Sequence, residues 1–344
     1  MRLATFQPQL GVHCETTTLR NMLHHAGVDI SEAMLFGLGQ GIDFQYWDAP
    51  DPGRLTPMLT GRIEPAQLSR NACSALGAEL REARAPDAES ASAAAAELLE
   101  AGHVVGVSVD IYHLDYFKSR SHFASHYIAL YGLDDTLAHV VDTEQQGGAQ
   151  TLPAESLRRA RASDEGFMPS PHLYLYVERL PARLTADTDA VVRERIWNAV
   201  RLSAERMTGD RGPRFGPRAM RRAATEIAGW NDTLASPDET VPGVGRFWRF
   251  AGTGGANFRK LYREFLLEAR QRCGDGELGA FADDLGDVQR RWDEAIELLM
   301  AYPGADRRER LAAVAARLNA IADAEQALFE GMLASAEKRA GEPA

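Results

Sequence analysis

The sequence predicts an α+β domain followed by an all-α domain. Helical patterns come first, and runs of β-branched residues joined by short turns then indicate a mostly antiparallel sheet. A proline-containing break spans residues 181–187, and from about residue 190 the pattern is helical without strand signals. We therefore predict two domains, residues 1–180 and 190–340, which suits a chain of 344 residues.

Composition narrows the class of protein. Hydrophobic residues make up 45% of the chain and charged residues 25%, as in ordinary globular proteins. The formal net charge of −11 argues against nucleic acid or an anionic membrane as the main partner. The chain has no apolar run of the length that spans a bilayer, and its start lacks the apolar core of a signal peptide. We therefore expect a cytoplasmic protein that binds neither nucleic acid nor membrane.

The three cysteines, Cys14, Cys73 and Cys273, are far apart in the sequence. Their odd number and the lack of a CxxC pair argue against a disulfide framework and against structural zinc. His122 and His126 have the spacing of metal ligands on a helix, but the residues after His126 favour a strand and no third ligand is near in sequence. We predict no metal site.

The first helix carries the chemically most suggestive cysteine. From Thr16 onward, apolar residues recur with the spacing of one helical face, and Gly27 supplies a stop. Cys14 therefore lies at the N-terminal end of the helix, where free amide groups and the helix dipole favour a thiolate. The alternative is that Cys14 is a small buried apolar residue, as many free cysteines are.

The following elements are predicted in chain order. A short helix capped by Ser31 leads into a glycine-rich loop at residues 37–41, whose spacing is not that of a dinucleotide-binding fingerprint. Residues 44–60 are predicted as loop or short strand, followed by helices around 65–77 and 88–101. The predicted strands of the sheet are residues 103–112, 127–132, 137–141 and 172–178.

A hairpin predicted between two of these strands brings a histidine close to an aspartate. If the hairpin is centred on Asp134, the directly opposed pairs are Ile128 with Val140, Leu130 with Ala138, and His126 with Asp142. Opposed residues share one face of a sheet and lie about 4.5–5.5 Å apart at Cβ. The carboxylate can orient the imidazole ring, leaving the other ring nitrogen for a nucleophile. The alternative is an edge pair without function, because a one-residue change of register would place the two side chains on opposite faces.

Several segments carry a family resemblance: residues 13–16, 31–41, 110–114, 126–132 and 141–142. They resemble the N-terminal domain of the butirosin biosynthesis protein H family, and this resemblance implies a papain-like cysteine-protease fold. The helical half, with the Gly-rich segment 252–259, is similar to the uncharacterised domain that often follows it. The resemblance implies Cys14 as nucleophile, His126 as base and Asp142 as its orienting acid. Glu32, Asp110 and Tyr112 are implied as residues that line the acceptor pocket.

One departure from the papain-like pattern concerns the oxyanion donor. Papain-like enzymes carry a glutamine six residues before the cysteine, whereas this chain has Pro8 there, between Gln7 and Gln9. The backbone N–H of Cys14 can serve as one donor, and the side chain that supplies the second stays open.

The resemblance further implies an acyltransferase with no bound cofactor. The acyl donor would be a phosphopantetheine or CoA thioester, the donor's partner an acyl carrier protein, and the acceptor a small-molecule amine. Acyl carrier proteins are acidic, and two arginine groups could dock one: Arg211, Arg214, Arg218, Arg221 and Arg222, and Arg158, Arg159 and Arg161. The alternatives are a cysteine peptidase or amidase and a non-catalytic module that binds a carrier protein. The helical half could equally form a homodimer.

Overall fold

The computed structural model describes residues 1–48, 57–119, 121–166, 168–181, 189–251 and 255–340. It divides the chain into two compact units. Of the described residues, the first unit contains 1–35 and 65–181, and the second contains 36–48, 57–64 and 189–340. This division differs from the predicted domains of 1–180 and 190–340, because two segments from the N-terminal half group with the helical residues. The predicted break at 182–187 and Gly252 to Gly254 of the Gly-rich segment lie outside the described residues.

The elements are numbered in chain order. The described strands are β1 Ile42–Trp47, β2 Met58–Arg62, β3 Glu79–Arg84, β4 Val105–Val109, β5 His126–Leu133, β6 Leu137–Val141, β7 Ala149–Pro153 and β8 Leu173–Arg179. The helices of the N-terminal half are α1 Cys14–His25, α2 Glu32–Leu38, α3 Gln67–Leu76, α4 Ala88–Glu100 and α5 Ala154–Ala162. Those of the C-terminal half are α6 Asp189–Thr208, α7 Gly216–Ile227, α8 Trp230–Thr233, α9 Pro237–Phe250, α10 Arg259–Cys273, α11 Gly276–Met300 and α12 Arg307–Ala340.

The first unit is built on an antiparallel sheet. Within the described residues, the strands follow the order β3-β8-β4-β5-β6-β7, and every pair is antiparallel. α1 packs against β5 through an apolar stripe that includes Leu19 and Leu23, both fully buried. Burial of one leucine side chain contributes about 1.5–3 kcal/mol, so this stripe anchors the cysteine helix to the sheet. The predicted α+β class is confirmed, as are α1 and the Ser31 cap, whose Oγ accepts from Met34 N at 3.0 Å.

The sheet contains two strands that the sequence did not predict. β3 and β7 lie at the two edges of the sheet, and most of their side chains are at least partly exposed. Edge strands tolerate charged and polar side chains, since only one of their two sides pairs with another strand. For this reason the Glu-Leu-Arg-Glu-Ala-Arg segment of β3 lacks the hydrophobic pattern that revealed the central strands.

The predicted register of the β5–β6 hairpin is wrong. Leu130 lies opposite Val140 rather than Ala138, and an irregularity between Leu130 and Gly132 shifts the pairing by one residue towards the turn. The pairing is therefore shifted from the predicted register by two residues on the His126 side and by three residues at the turn, where Leu133 lies opposite Ala138. An even shift keeps every side chain on its face, because side chains alternate with a period of two. His126 and Asp142 are diagonal neighbours on one face, not directly opposed residues.

The second unit surrounds a buried ion pair. Arg259 and Glu325 are both fully buried, with the Arg259 Nη2 donating to Glu325 Oε2 at 2.6 Å and Nε donating to Oε1 at 2.7 Å. Trp292 Nε1 donates to the same carboxylate at 2.9 Å. The remaining Nη1 of Arg259 donates to the carbonyl oxygens of Asp43 (3.0 Å) and Asn257 (2.8 Å). The pair thus joins β1 to α10, α11 and α12.

The strands β1 and β2 form a separate two-stranded antiparallel sheet in this unit. β1 is buried almost throughout, and Trp248 of α9 donates from Nε1 to the carbonyl of Leu59 in β2 at 3.0 Å. The residues from 189 to 340 that the structure describes are helical, with no strand. None of the described helices combines the length and the apolar character needed to cross a membrane.

Candidate active site

Cys14 is the first residue of α1. His13 before it has an extended backbone, and its carbonyl accepts from Thr17 N at 2.9 Å, which closes the first helical turn. The side chain of Cys14 therefore leaves the chain at the positive end of the helix dipole. Cys14 is 9% exposed, against 1% for Cys73 and 4% for Cys273. Burial raises the pKa of Cys73 to about 12 and also raises the pKa of Cys273, so neither forms a thiolate readily near neutral pH.

Glu32 holds the loop that leads into the cysteine. Its Oε2 accepts from Val12 N and its Oε1 from His13 N, both at 2.9 Å, and Thr16 Oγ1 donates to Oε1 at 2.7 Å. A Cβ atom on Gly11 would lie 2.7 Å from Oε1, so only glycine leaves room for this carboxylate. Burial raises the pKa of Glu32, although these hydrogen bonds oppose the shift. Both oxygens are engaged by protein donors, which makes Glu32 a residue that shapes the cysteine loop. The acceptor-pocket role implied for it has no support in this geometry.

His126 and Asp142 form a buried pair. His126 Nε2 lies 2.9 Å from Asp142 Oδ1 and 2.8 Å from Oδ2, and the two side chains are 9% and 0% exposed. Asp142 Oδ1 also accepts from Thr143 N at 2.6 Å. The loop after Asp142 is tied to the loop before Cys14, since Glu144 N donates to the Gly11 carbonyl at 2.8 Å.

Cys14 completes the group that the sequence predicted. It lies within hydrogen-bonding reach of the His126 ring. Burial lowers the pKa of His126, but the charges of Asp142 and Cys14 and their hydrogen bonds outweigh burial and raise it. The structure therefore brings Cys14, His126 and Asp142 together in one buried cluster, in which the raised pKa of His126 favours the protonated imidazole ring.

Two aromatic residues that sequence reasoning missed also contact this cluster. Tyr116 donates its hydroxyl proton to Asp142 Oδ2 at 2.9 Å. The Phe117 ring packs edge-on against the His126 ring, with centroids 5.3 Å apart. Both residues lie in an irregular segment between β4 and β5, where no periodic pattern indicates which side chains point inward.

Asp110 forms hydrogen bonds to both ends of the irregular segment between β4 and β5. Its Oδ1 accepts from Tyr112 N at 3.1 Å and Phe123 N at 2.9 Å, and its Oδ2 accepts from Ser163 Oγ at 2.7 Å and contacts His122 Nδ1 at 2.6 Å. Burial raises the pKa of Asp110, but these hydrogen bonds lower it below its usual value. The carboxylate is buried and holds the two ends of the segment together as a clip, and the acceptor-pocket role that the resemblance implied for Asp110 stays a prediction.

Tyr112 lies beside this clip. Its ring stacks on the ring of His122 with centroids 4.1 Å apart, and the residue is 37% exposed. Of the three residues implied for the acceptor pocket, Tyr112 is the most exposed, Glu32 is partly exposed and Asp110 is buried. Its role in binding the acceptor stays a prediction.

Asp110, His113 and His122 are close enough to be considered as metal ligands, with one ligand atom of each within 4.8 Å of the others. The 2.6 Å separation of His122 Nδ1 and Asp110 Oδ2 is that of a strong hydrogen bond. Two tetrahedral zinc ligands at their usual bond lengths would lie roughly 3.4 Å apart. The present arrangement is therefore a hydrogen-bonded clip.

Neither Gln7 nor Gln9 is identified by its contacts as the oxyanion donor for Cys14. Gln9 is held by its backbone, whose N–H donates to Asn21 Oδ1 at 2.9 Å and whose carbonyl accepts from Asn21 Nδ2 at 2.8 Å. The side-chain nitrogen of Gln9 contacts the carbonyl oxygen of Gln7 at 3.4 Å, and Gln7 itself is exposed. Neither glutamine has a described contact with Cys14.

The arginine groups proposed for docking are mostly engaged within their own units. Arg161 is 3% exposed and donates to the carbonyl of Ala91, so it offers no surface charge. The ion pairs of the other group are Arg211 with Asp43, Arg218 with Asp210, Arg221 with Asp323, and Arg222 with Asp48 and Glu226. Arg214 lies over the Trp47 ring at 4.7 Å. Paired surface arginines are weaker evidence for an acidic partner than the sequence suggested.

Comparison with protein families assigns both halves of the chain. Residues 13–143 match the family described as butirosin biosynthesis protein H, N-terminal. Residues 155–332, just over half of the chain, match the family described as a domain of unknown function, DUF4872. The chain belongs to the DUF4872 family. In this DUF4872 protein the N-terminal match spans Cys14, His126 and Asp142.

A solved structure is also similar to this DUF4872 protein. It is a crystal structure described as that of a C39-like peptidase from Bacillus anthracis, at 16% sequence identity and a TM-score of 0.37. The similarity covers 53% of the present chain and 100% of the other. No curated protein is significantly similar to the chain.

Proposed function

We propose that this protein is a cysteine-dependent acyltransferase that moves an acyl group from a thioester to an amine. The observation that carries the proposal is the cluster of Cys14, His126 and Asp142. Cys14 starts a helix within hydrogen-bonding reach of His126, whose Nε2 is held by Asp142 at 2.8 Å. Because Asp142 engages Nε2, the other ring nitrogen is left for the thiol, and this arrangement suits a thiolate–imidazolium pair.

In the first step the Cys14 thiolate attacks the carbonyl carbon of the thioester. The tetrahedral intermediate collapses by breaking the bond to the departing sulfur, which takes the proton of the His126 imidazolium and leaves as a thiol. The product is a Cys14 acyl-enzyme with a neutral His126. Exchange between two sulfurs of similar leaving ability needs little driving force, so a thioester suits this nucleophile better than an amide does.

In the second step an amine attacks the acyl-enzyme. His126 takes a proton from the attacking nitrogen, the Cys14 thiolate leaves, and the amide is released. A hydrolase would share the first step and use water in the second. Transfer to an amine is supported by the family that residues 13–143 match, because that family is described as a biosynthesis protein. The resemblance of the sequence to this family also implies an amine acceptor.

We further propose that the donor carries phosphopantetheine, which CoA and acyl carrier proteins share. The surface arginines Arg218 and Arg221 already form ion pairs with aspartates of the same chain. The proposal therefore rests on the thioester and not on the docking of an acidic carrier protein.

The first test is intact-mass analysis after incubation with butyryl-CoA and with the butyryl thioester of N-acetylcysteamine. We expect a butyryl adduct on the wild type and on the Cys73→Ser control, but none on Cys14→Ser or His126→Ala. Folded wild-type protein that forms no adduct with either thioester would contradict the enzyme proposal. Adduct formation with butyryl-CoA alone would indicate that a part of CoA beyond its cysteamine end is recognised.

The second test adds a panel of primary amines, including an aminoglycoside, to the preformed adduct. Accelerated loss of the adduct together with an amide product supports transfer. Loss at the same rate with and without amines, with butyrate as the product, identifies a hydrolase instead.

A further inference from the structure

We propose that Tyr116 is a positioning residue for the proposed reaction, acting through Asp142 on His126. This inference rests on the proposed function and adds a fourth member to its machinery. Tyr116 Oη donates to Asp142 Oδ2 at 2.9 Å, the same oxygen that lies 2.8 Å from His126 Nε2. Neither the family resemblance nor any sequence pattern indicated this residue.

The carboxylate of Asp142 is surrounded by donors that fix its orientation. Thr143 N donates to Oδ1 at 2.6 Å, Tyr116 donates to Oδ2, and His126 Nε2 lies between the two oxygens. Rotation of the carboxylate about its bond to Cβ would break the contacts on both oxygens together. Asp142 can therefore hold the imidazole in a single orientation, as an orienting acid must.

The Tyr116 hydroxyl is suited to act as a permanent donor. Burial, followed by the charge and the hydrogen bond of Asp142, raises the pKa of Tyr116 well above its usual value. The phenol therefore stays protonated near neutral pH. Because a donor draws electron density from the carboxylate, the hydroxyl also limits how strongly Asp142 attracts the proton of His126.

The contact between Tyr116 and Asp142 depends on the segment between β4 and β5, whose two ends are held together by Asp110. Asp110 binds the backbone N–H groups of Tyr112 and Phe123, which brings the two ends of the segment together. Between them Leu114 is fully buried, and its carbonyl accepts from Phe117 N at 3.0 Å. These contacts set Tyr116 against Asp142 and Phe117 against His126.

The test is the pH dependence of Cys14 alkylation by iodoacetamide, followed by peptide mass analysis. The burial-raised pKa values of Cys73 and Cys273 make the other two thiols slow, so the signal reports on Cys14. Tyr116→Phe keeps the ring and removes the donor. The matched control is Tyr262→Phe, a fully buried tyrosine of α10.

Without its hydroxyl donor, Asp142 should hold the proton of His126 more strongly. We expect Tyr116→Phe to move the alkaline inflection of the profile, which marks loss of that proton, upward by up to about one pH unit. Replacement of Tyr116 by 3,5-difluorotyrosine, whose hydroxyl is a stronger donor, should move the inflection downward. Tyr262→Phe should leave it in place. Opposite shifts from the two replacements are not expected of a residue that only fills space.

The outcomes separate the two proposals. If wild-type Cys14 reacts no faster than Cys73 at neutral pH, the proposed function fails. If wild-type Cys14 is reactive but its inflection is the same in Tyr116→Phe and in the difluorotyrosine protein, the proposed function stands and the positioning role is refuted. If Tyr116→Phe does not fold, the difluorotyrosine protein alone decides between the two readings, since it keeps the ring and the hydrogen bond.

Discussion

At the scale of single residues, the loop that leads into Cys14 depends on the carboxylate of Glu32. Glu32 binds two consecutive backbone N–H groups, those of Val12 and His13, immediately before Cys14. It binds the first turn of the helix as well, through the hydroxyl of Thr16. One half-buried side chain thus sets the path of the loop and the start of α1 together, and Gly11 leaves the room that this requires.

Replacement of Glu32 by glutamine tests this role. The amide presents a donor where the protein already supplies donors, so at least one hydrogen bond to a charged group is lost. We expect a loss of about 1.5–3 kcal/mol in the free energy of unfolding, together with slower alkylation of Cys14. Thermal and urea unfolding measure the first effect. Glu89→Gln, an exposed residue in the first turn of α4, is the control and should change stability by no more than about 0.5 kcal/mol. Equal behaviour of the two variants would show that Glu32 does not shape the loop.

At the scale of elements, the β5–β6 hairpin positions both His126 and Asp142. Its turn sets where the pairing of the two strands begins. Asp134 Oδ1 accepts from Thr136 N and Leu137 N, both at 2.9 Å, and from Thr136 Oγ1 at 2.8 Å. These hydrogen bonds lower the pKa of Asp134 to about 2. The turn is therefore held by the ionised carboxylate.

The pH dependence of this turn has a defined sign. A carboxyl whose pKa is lowered in the folded state stabilises the protein above its unfolded pKa of about 3.9, and this contribution is lost as the pH falls towards 2. We expect Asp134→Ala to speed amide hydrogen exchange at Thr136 and Leu137 at pH 7. The difference in melting temperature from the wild type should shrink between pH 5 and pH 3. Asp135→Ala, at an exposed position in the same turn, should show neither effect. A difference that is constant with pH would exclude the ionised turn.

At the scale of the whole molecule, the second unit gathers distant segments of the chain around the Arg259–Glu325 pair. The guanidinium binds the carboxylate of Glu325 and backbone carbonyls from β1 and from the turn before α10. A buried charge without its partner is strongly destabilising. The second unit is therefore stable only when all the segments that contact the ion pair are in place. β1 lies about two hundred residues before Arg259 in sequence.

Replacement of Glu325 by glutamine leaves the Arg259 charge buried without a counterion. We expect a loss of about 3–5 kcal/mol in the free energy of unfolding, measured by chemical denaturation with helix content as the signal. The control is Asp287→Asn, which breaks an ion pair whose side chains, Arg290 and Asp287, are 71% and 62% exposed. It should cost at most about 1 kcal/mol. A loss for Glu325→Gln no larger than that of the control would mean that the buried pair does not hold the unit together.

Local signals in the sequence predicted the elements they encode. The apolar spacing after Thr16 predicted α1, Ser31 predicted the start of α2, and β-branched runs predicted the central strands. They also placed Cys14 at a helix start, because helix caps and periodicity depend on neighbouring residues only. The edge strands β3 and β7 were not predicted, because strands that are partly exposed to solvent need no regular hydrophobic pattern.

Contacts between distant segments were decided by the tertiary structure alone. The hairpin turn is shifted by three residues from the predicted register, and the irregularity after Leu130 reduces the shift to two, so His126 and Asp142 kept one face. The grouping of β1 and β2 with the helical unit depends on burial against residues far along the chain. Tyr116, Asp110 and Glu32 acquired their roles from the partners that the fold brings to them. The sequence by itself determined most helices of the N-terminal half, the helical character of the C-terminal half, the central strands and the residue types of the site. Only the tertiary structure decided which donors surround each buried carboxylate, because hydrogen-bond partners are set by three-dimensional packing and not by spacing along the chain.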